Sequence, residues 1–200
     1  EFQNASGVWA TTAWKAWKTV SGATHSAAFT GAQGTTYLFH ANAVYSGGAS
    51  SGYSPAVLTV VPYDDRASAA VYSTGWVRGT ASGRFLGTYT YTTGASKTMT
   101  IKTDVLTYTL IGDKCPTCGK MRVYVDGVLI ATVDTYKSTT AARQVLFSRS
   151  FTATKPHQLK VVTPRHLHRE PPQGAPAERV AVAAGVVGGR PVVAPRQAEH

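Results

Sequence analysis

Charge is scarce in this chain. Asp, Glu, Lys and Arg make up 15% of its 200 residues, too few to clothe helices in the paired Glu and Lys that solvate exposed helical faces. Acids are the scarcer sign: 10 Asp and Glu stand against 20 Lys and Arg, for a net charge of +10. No apolar run approaches the about 20 residues that a spanning helix requires, so no membrane span is expected. There are two cysteines, Cys115 and Cys118. A zinc site would need two more ligands, and His166 and His168 could supply them only from the C-terminal tail. The opening Glu1-Phe2-Gln3-Asn4 has neither a basic segment nor an apolar one, so any signal peptide lies outside these residues. Glu-Phe is also what an EcoRI cloning junction encodes.

What fills the space is Ser, Thr and Gly around an ordinary apolar fraction of 43%. Thr suits a pleated, half-buried surface, and Gly and Ser suit turns. The composition is all-β. The cations are dispersed: Arg66, Arg78, Arg84, Lys97, Lys102, Lys114, Lys120, Arg122, Lys137, Arg143, Arg149, Lys155 and Lys160 occur singly. Such a distribution attracts anionic polymers such as teichoic acid, acidic polysaccharide or DNA at long range. It does not form the dense run of specific nucleic-acid recognition.

Residues 1–62 read as short strands, at 8–12, 14–20, 25–30, 37–44 and 56–61, with a Gly/Ser-rich loop at 46–52. The stretch Gly34-Thr35-Thr36-Tyr37-Leu38-Phe39-His40-Ala41-Asn42-Ala43 resembles the E–F corner and F strand of a fibronectin type III domain. The resemblance implies that Tyr37 is the corner tyrosine, whose hydroxyl ties back to the chain. Trp14 and Trp17 are similar to the middle strands of such a domain. Only its second half is covered, so this first unit is expected to be truncated, its first two strands preceding residue 1 and a sheet edge left open.

Residues 63–163 read as a second unit. Strands are predicted at 69–72, 75–78, 87–92, 97–102, 105–111, 121–125, 128–134, 144–151 and 157–162, a spacing that suits a β-sandwich. In Arg122-Val123-Tyr124-Val125-Asp126-Gly127-Val128-Leu129-Ile130, Asp-Gly between alternating strands signals a two-residue hairpin. Asp64-Asp65-Arg66, Gly75-Trp76-Val77-Arg78, Gly87-Thr88-Tyr89, the Cys115–Lys120 segment and Val123-Tyr124-Val125-Asp126-Gly127 resemble a jelly-roll module. That module recurs at the C-terminus of large exported actinobacterial proteins, after fibronectin type III domains. The resemblance implies a secreted, extracellular parent and a likeness in outline to carbohydrate-binding modules.

After Thr163 the residues Ser, Thr, Tyr, Trp, Phe, Lys and Asp all vanish. Arg, Pro, Ala, Gly and Val dominate instead. Residues 164–200 are expected to be disordered or non-native, with no pattern beyond 177–187, although the resemblance would place one more strand here.

Several motifs suggest chemistry. Cys115-Pro116-Thr117-Cys118 is expected to close a disulfide across a tight turn, since no helix follows to activate a thiol. Gly48-Ala49-Ser50-Ser51-Gly52 matches the G-x-S-x-G of serine hydrolases, but it lies in a hairpin loop without a following helix. Asp64 and Asp65 are adjacent, so on a strand they would face opposite ways and make no acid–base pair. Either could ligate calcium, which braces many jelly-roll modules. His25, His40 and His157 read as surface histidines. Sugar rings stack on aromatic side chains, so Trp76, Arg78, Tyr89 and Tyr91 form the candidate ligand site, with Tyr136 and Arg143 a weaker one.

The expectation is an all-β chain: a truncated fibronectin type III-like sandwich (1–62), a jelly-roll sandwich (63–163) and a tail (164–200). It would be a monomeric, non-catalytic module of an exported protein. Its partner would be polysaccharide or an anionic cell-wall polymer, or it would serve as a spacer. A small hydrolase or esterase using Ser50 is the alternative.

Overall fold

The computed structural model describes residues 2–3, 14–24, 26–164 and 180–182. It is all-β, and every strand pairing is antiparallel. The strands are β1 (Phe2–Gln3), β2 (Thr36–Phe39), β3 (Val57–Val60), β4 (Ala70–Tyr72), β5 (Val77–Thr80), β6 (Thr88–Thr92), β7 (Thr98–Lys114), β8 (Lys120–Val125), β9 (Val128–Asp134), β10 (Ala141–Val162) and β11 (Val180–Val182). They form three sheets, ordered β1-β2-β3, β4-β7-β10-β8-β9 and β11-β6-β5. Among the described residues no helix is long and apolar enough to cross a membrane.

The first sheet rests on β2. The hydroxyl of Tyr37 accepts the amide N–H of Ala32 at 2.9 Å, tying the strand to the turn that delivers it. Phe29 packs edge-on against both Tyr37 and Phe39, with ring centroids 4.8 Å apart in each case. Trp17 meets Phe29 and Phe39 in the same way. The predicted strand at 14–20 lies outside any sheet; its tryptophans are held by ring contacts and not by a ladder. The predicted strand at 8–12 lies outside the described residues, as does His25. Removing the Tyr37 hydroxyl (Tyr37→Phe) should cost about 0.5–1.5 kcal/mol, read as an earlier urea transition in tryptophan fluorescence. An unchanged midpoint would show that the tie carries no stability.

The chain between β3 and β4 packs closely against the turn before β2. Gly34 has φ +72, and a Cβ there would collide with the ring of Tyr63. Tyr63 in turn packs against the core of the second unit. The side chain of Gln33 accepts the amide of Asp64 at 2.9 Å.

That core lies on one face of the five-stranded sheet. Met99, Ile101, Tyr108 and Leu110 of β7, Met121 and Val123 of β8, and Leu159 and Val161 of β10 are all fully buried or nearly so. Two strands were predicted along β7, at 97–102 and 105–111, and one forms. Odd residues face inward up to Ile101. Val105 and Leu106 are both buried, and even residues face inward from Tyr108. The reversal accompanies a register shift between Ser150 and Lys155 of β10. A bulge of this kind bends a strand without ending it. β10 likewise joins the two strands predicted at 144–151 and 157–162.

The Asp-Gly hairpin forms as expected: Asp126 and Gly127 both have positive φ, 50 and 83, and they connect β8 to β9. Part of the tail is also ordered into the fold. Val180–Val182 pairs with Thr90–Thr92 of β6, covering what would otherwise be an open edge. The rest of 165–200 lies outside the described residues.

Candidate functional site

The disulfide between Cys115 and Cys118 is formed, with Cα atoms 4.9 Å apart. It closes a turn in which Cys118 N–H bonds Cys115 O. The same loop is laced to the segment after β9. Cys115 N–H bonds Thr135 O, Thr135 N–H bonds Gly119 O, and Lys137 N–H bonds Cys115 O. Tyr136 stands on this platform with 44% of its surface exposed.

The four residues proposed as a ligand site do not share one face. Register places Arg78 opposite Thr90 and Val77 opposite Tyr91, with Gly79 opposite Tyr89. Side chains alternate along a strand, so Arg78 sides with the buried Thr90, and Tyr89 and Tyr91 lie on the reverse. Trp76 is half-buried. It packs edge-on against Tyr72 at 5.1 Å and joins the core; its Nε1 is buried without an acceptor among the described residues. On the other face, Tyr89 and Tyr91 form a near-parallel pair 5.7 Å apart, beside the exposed Val77. The tip of the Tyr89 ring leans over Gly79, where any side chain would collide with it. The guanidinium of Arg84 lies 5.1 Å from the Tyr89 centroid.

Arg84 is the residue that composition and motif did not single out. Its Nε and Nη2 both donate to Asp113 Oδ2, at 3.0 and 2.7 Å. Asp113 is 3% exposed, and its Oδ1 has no donor among the described residues. The Arg84 carbonyl accepts a bond from Arg143 Nη2 at 3.0 Å. Arg84 thus connects the tyrosine pair to the start of β10 beside the disulfide.

Asp64 and Asp65 correct an expectation. They lie in a turn before β4 and not on a strand, so alternation does not separate them. The hydroxyl of Thr88 reaches Asp64 Oδ1 at 3.1 Å and Asp65 Oδ1 at 2.5 Å. Thr90 donates to Asp65 Oδ2 at 2.5 Å. Burial, with the Asp65 charge alongside, raises the Asp64 carboxyl above the usual carboxylate range. Burial and the same Asp65 charge push the Tyr72 hydroxyl up. Calcium would need about six to eight oxygens. Among the described residues no three His, Cys, Asp or Glu side chains converge, and the hydroxyls of Thr88 and Thr90 lie within hydrogen-bond distance of the carboxylates. With the Asp65 charge beside it, the buried Asp64 carboxyl holds its proton more tightly than a free one.

His157 is also corrected. It is buried, at 3% exposure, and stacks on Phe151 with centroids 3.6 Å apart. Its Nδ1 lies 2.6 Å from Asp126 Oδ2, and its carbonyl accepts the Tyr108 hydroxyl. The Gln158 amide, and then His157, lower the Asp126 pKa. An Asp–His pair is half of a hydrolytic constellation. Here the outer nitrogen, Nε2, is sealed in and has no partner among the described residues, so the pair braces the hairpin to β10. His40 is stacked between Trp14 and Tyr53, at 3.7 and 4.2 Å. Ser50 is exposed, and its Oγ accepts from Asn42 Nδ2 and Gly52 N–H, both at 3.2 Å. No base is among these partners.

No protein-family profile matches the chain, and no curated protein does. Among solved structures it is similar to a Paenibacillus xanthan lyase (14% identity, TM-score 0.47), covering 64% of this chain and 13% of that one. It is similar to a two-domain esterase active on acetylated mannans, crystallised with mannopentaose (13% identity, TM-score 0.45), covering 66% and 37%. It is also similar to the Agl-KA catalytic domain (12% identity, TM-score 0.43), covering 69% and 29%. The chain therefore spans well under half of each of these structures.

Proposed function

We propose that the chain is a non-catalytic accessory module that binds polysaccharide, part of an exported protein whose chemistry is done elsewhere. In this reading residues 1–62 are the second half of a fibronectin type III domain. Residues 63–163 are a jelly-roll binding module of the actinobacterial type, and the protein works as a secreted monomer. The observation that carries the reading is the tyrosine pair. Tyr89 and Tyr91 are held parallel on a β-sheet face by Gly79 beneath and Arg84 alongside, a rigid aromatic surface of the kind on which sugar rings pack. The Tyr37–Ala32 tie supports the assignment of the first unit. The hydrolase alternative has nothing comparable, since among the described residues Ser50 Oγ accepts hydrogen bonds from an amide and a side-chain carboxamide and meets no base.

The test is retention on insoluble polysaccharides and cell walls, comparing the whole chain with Tyr89→Ala/Tyr91→Ala. Retention should fall about tenfold in the variant, with its melting transition intact. Equal retention would reject the tyrosine face. Trp76→Ala is a poorer probe, because the indole packs in the core. An esterase assay should show no turnover; turnover abolished by Ser50→Ala would reject the non-catalytic reading.

A further inference from the structure

We infer that the tyrosine face continues, through Arg84, into a basic subsite at the disulfide-bonded end of the second unit, and that this subsite takes the carboxylate of an acidic sugar. The inference rests on the polysaccharide-binding reading and narrows its ligand to carboxylate-bearing glycans.

The continuity is physical. Arg84 touches the Tyr89 ring with its guanidinium and holds Arg143 with its carbonyl. Arg143 is exposed and has φ +55, a left-handed conformation that L-residues other than Gly, Asn and Asp seldom adopt. It sits in an irregular stretch between Ala141, paired with Lys114, and Gln144, paired with Gly112. The backbone is thus bent where this guanidinium is presented, and such departures concentrate at functional sites. On the other flank of the end of β7, Cys115 bridges to Tyr136. The adjoining Lys137 is pinned by its amide to the disulfide loop.

Lys114, Lys137 and Arg143 have no carboxylate within ion-pair distance among the described residues. The acids of this end are engaged: Asp113 holds Arg84, and Asp134 Oδ1 accepts the Tyr136 amide. A fixed guanidinium, two ammonium groups and an exposed ring on a cross-linked loop suit an anionic sugar. Arg recognises a carboxylate through two parallel N–H bonds, and the tyrosine offers a face to the pyranose. Single-stranded nucleic acid fits less well, because it calls for a groove of several stacking rings along a continuous cationic track.

The experiment titrates the full chain with three carboxylate-bearing polysaccharides, polygalacturonate, alginate and hyaluronan, and with their methyl esters. Esterification removes the charge and keeps the sugars. The chain should prefer at least one acid form over its ester by three- to tenfold, or about 0.7–1.4 kcal/mol. Arg143→Ala should abolish that preference while ester binding and the melting temperature hold, and Tyr136→Ala should weaken acid and ester binding alike. Ester binding retained, with an acid preference that Arg143→Ala leaves unchanged, would overturn the subsite and leave the binding reading standing. No binding to any of the six polymers would overturn the subsite, while retention on insoluble polysaccharides and cell walls decides the binding reading separately. Single-stranded DNA displacing the glycan from wild type but not from Arg143→Ala would make nucleic acid the partner and overturn the sugar assignment.

Discussion

Arg84→Ala should destabilise the protein by about 3–5 kcal/mol, because it strands a buried charge. Asp113 is all but closed to solvent. Among the described residues both of its side-chain hydrogen bonds come from Arg84 and fall on one oxygen, while the other oxygen has no donor. Truncating the arginine leaves the carboxylate with neither counter-ion nor donor. The pair itself is worth far less than this loss, since two charges had to leave water to make it. The double variant Arg84→Met/Asp113→Leu should therefore recover most of the stability. Urea unfolding at constant slope measures both. A single variant within about 1 kcal/mol of wild type would mean that Asp113 is neutral or hydrated. A double variant as weak as the single would mean that the loss comes from packing on Tyr89.

Asp65→Ala and Asp64→Asn should move stability in opposite directions at neutral pH. Asp65 accepts the hydroxyls of Thr88 and Thr90, and Thr90 is 1% exposed. Alanine leaves Thr90 without its acceptor and Thr88 with Asp64 alone, at a cost of about 1–3 kcal/mol. An Asn at 64 removes one of two adjacent buried charges and can donate to Asp65. It should be neutral or stabilising by up to about 1 kcal/mol. The pH dependence follows from the sign of the shift. The folded Asp64 carboxyl is raised by burial and by Asp65, so the folded state holds this proton more tightly than the unfolded one. The penalty is fully present above the folded pKa. It fades as pH falls from there toward the ordinary Asp value. Wild type should thus gain on Asp64→Asn as the solution is acidified through that window. A constant difference between them would show that folding does not raise the Asp64 carboxyl.

The features legible in the sequence were local ones. Asp126-Gly127 dictates its turn through backbone conformation, and Cys115 and Cys118 lie close enough in the chain to pair without knowledge of the fold. Tyr37 was found through the corner motif around it. What escaped was long-range or broke a periodicity. β7 was divided because its buried positions change parity at Val105 and Leu106, and alternation alone cannot distinguish a bulge from a break. Asp64 and Asp65 were separated by a rule for strands applied to a turn. The partners Arg84 and Asp113 are 29 residues apart, and His157 and Asp126 are 31 apart; nothing in composition links them. The ligand residues were only partly legible, since period two placed Tyr89 and Tyr91 together correctly. Which face Trp76 and Arg78 take relative to them depends on a cross-strand register that only the fold reveals.

The most direct test of the account is the salt dependence of binding to an insoluble polysaccharide. Ionic contacts weaken as salt screens them, whereas ring stacking does not. Retention by the whole chain that persists in high salt and is lost in Tyr89→Ala/Tyr91→Ala is the predicted result. Retention that vanishes with salt in wild type would mean that the net charge acts alone, and would contradict a binding site built on the tyrosine face.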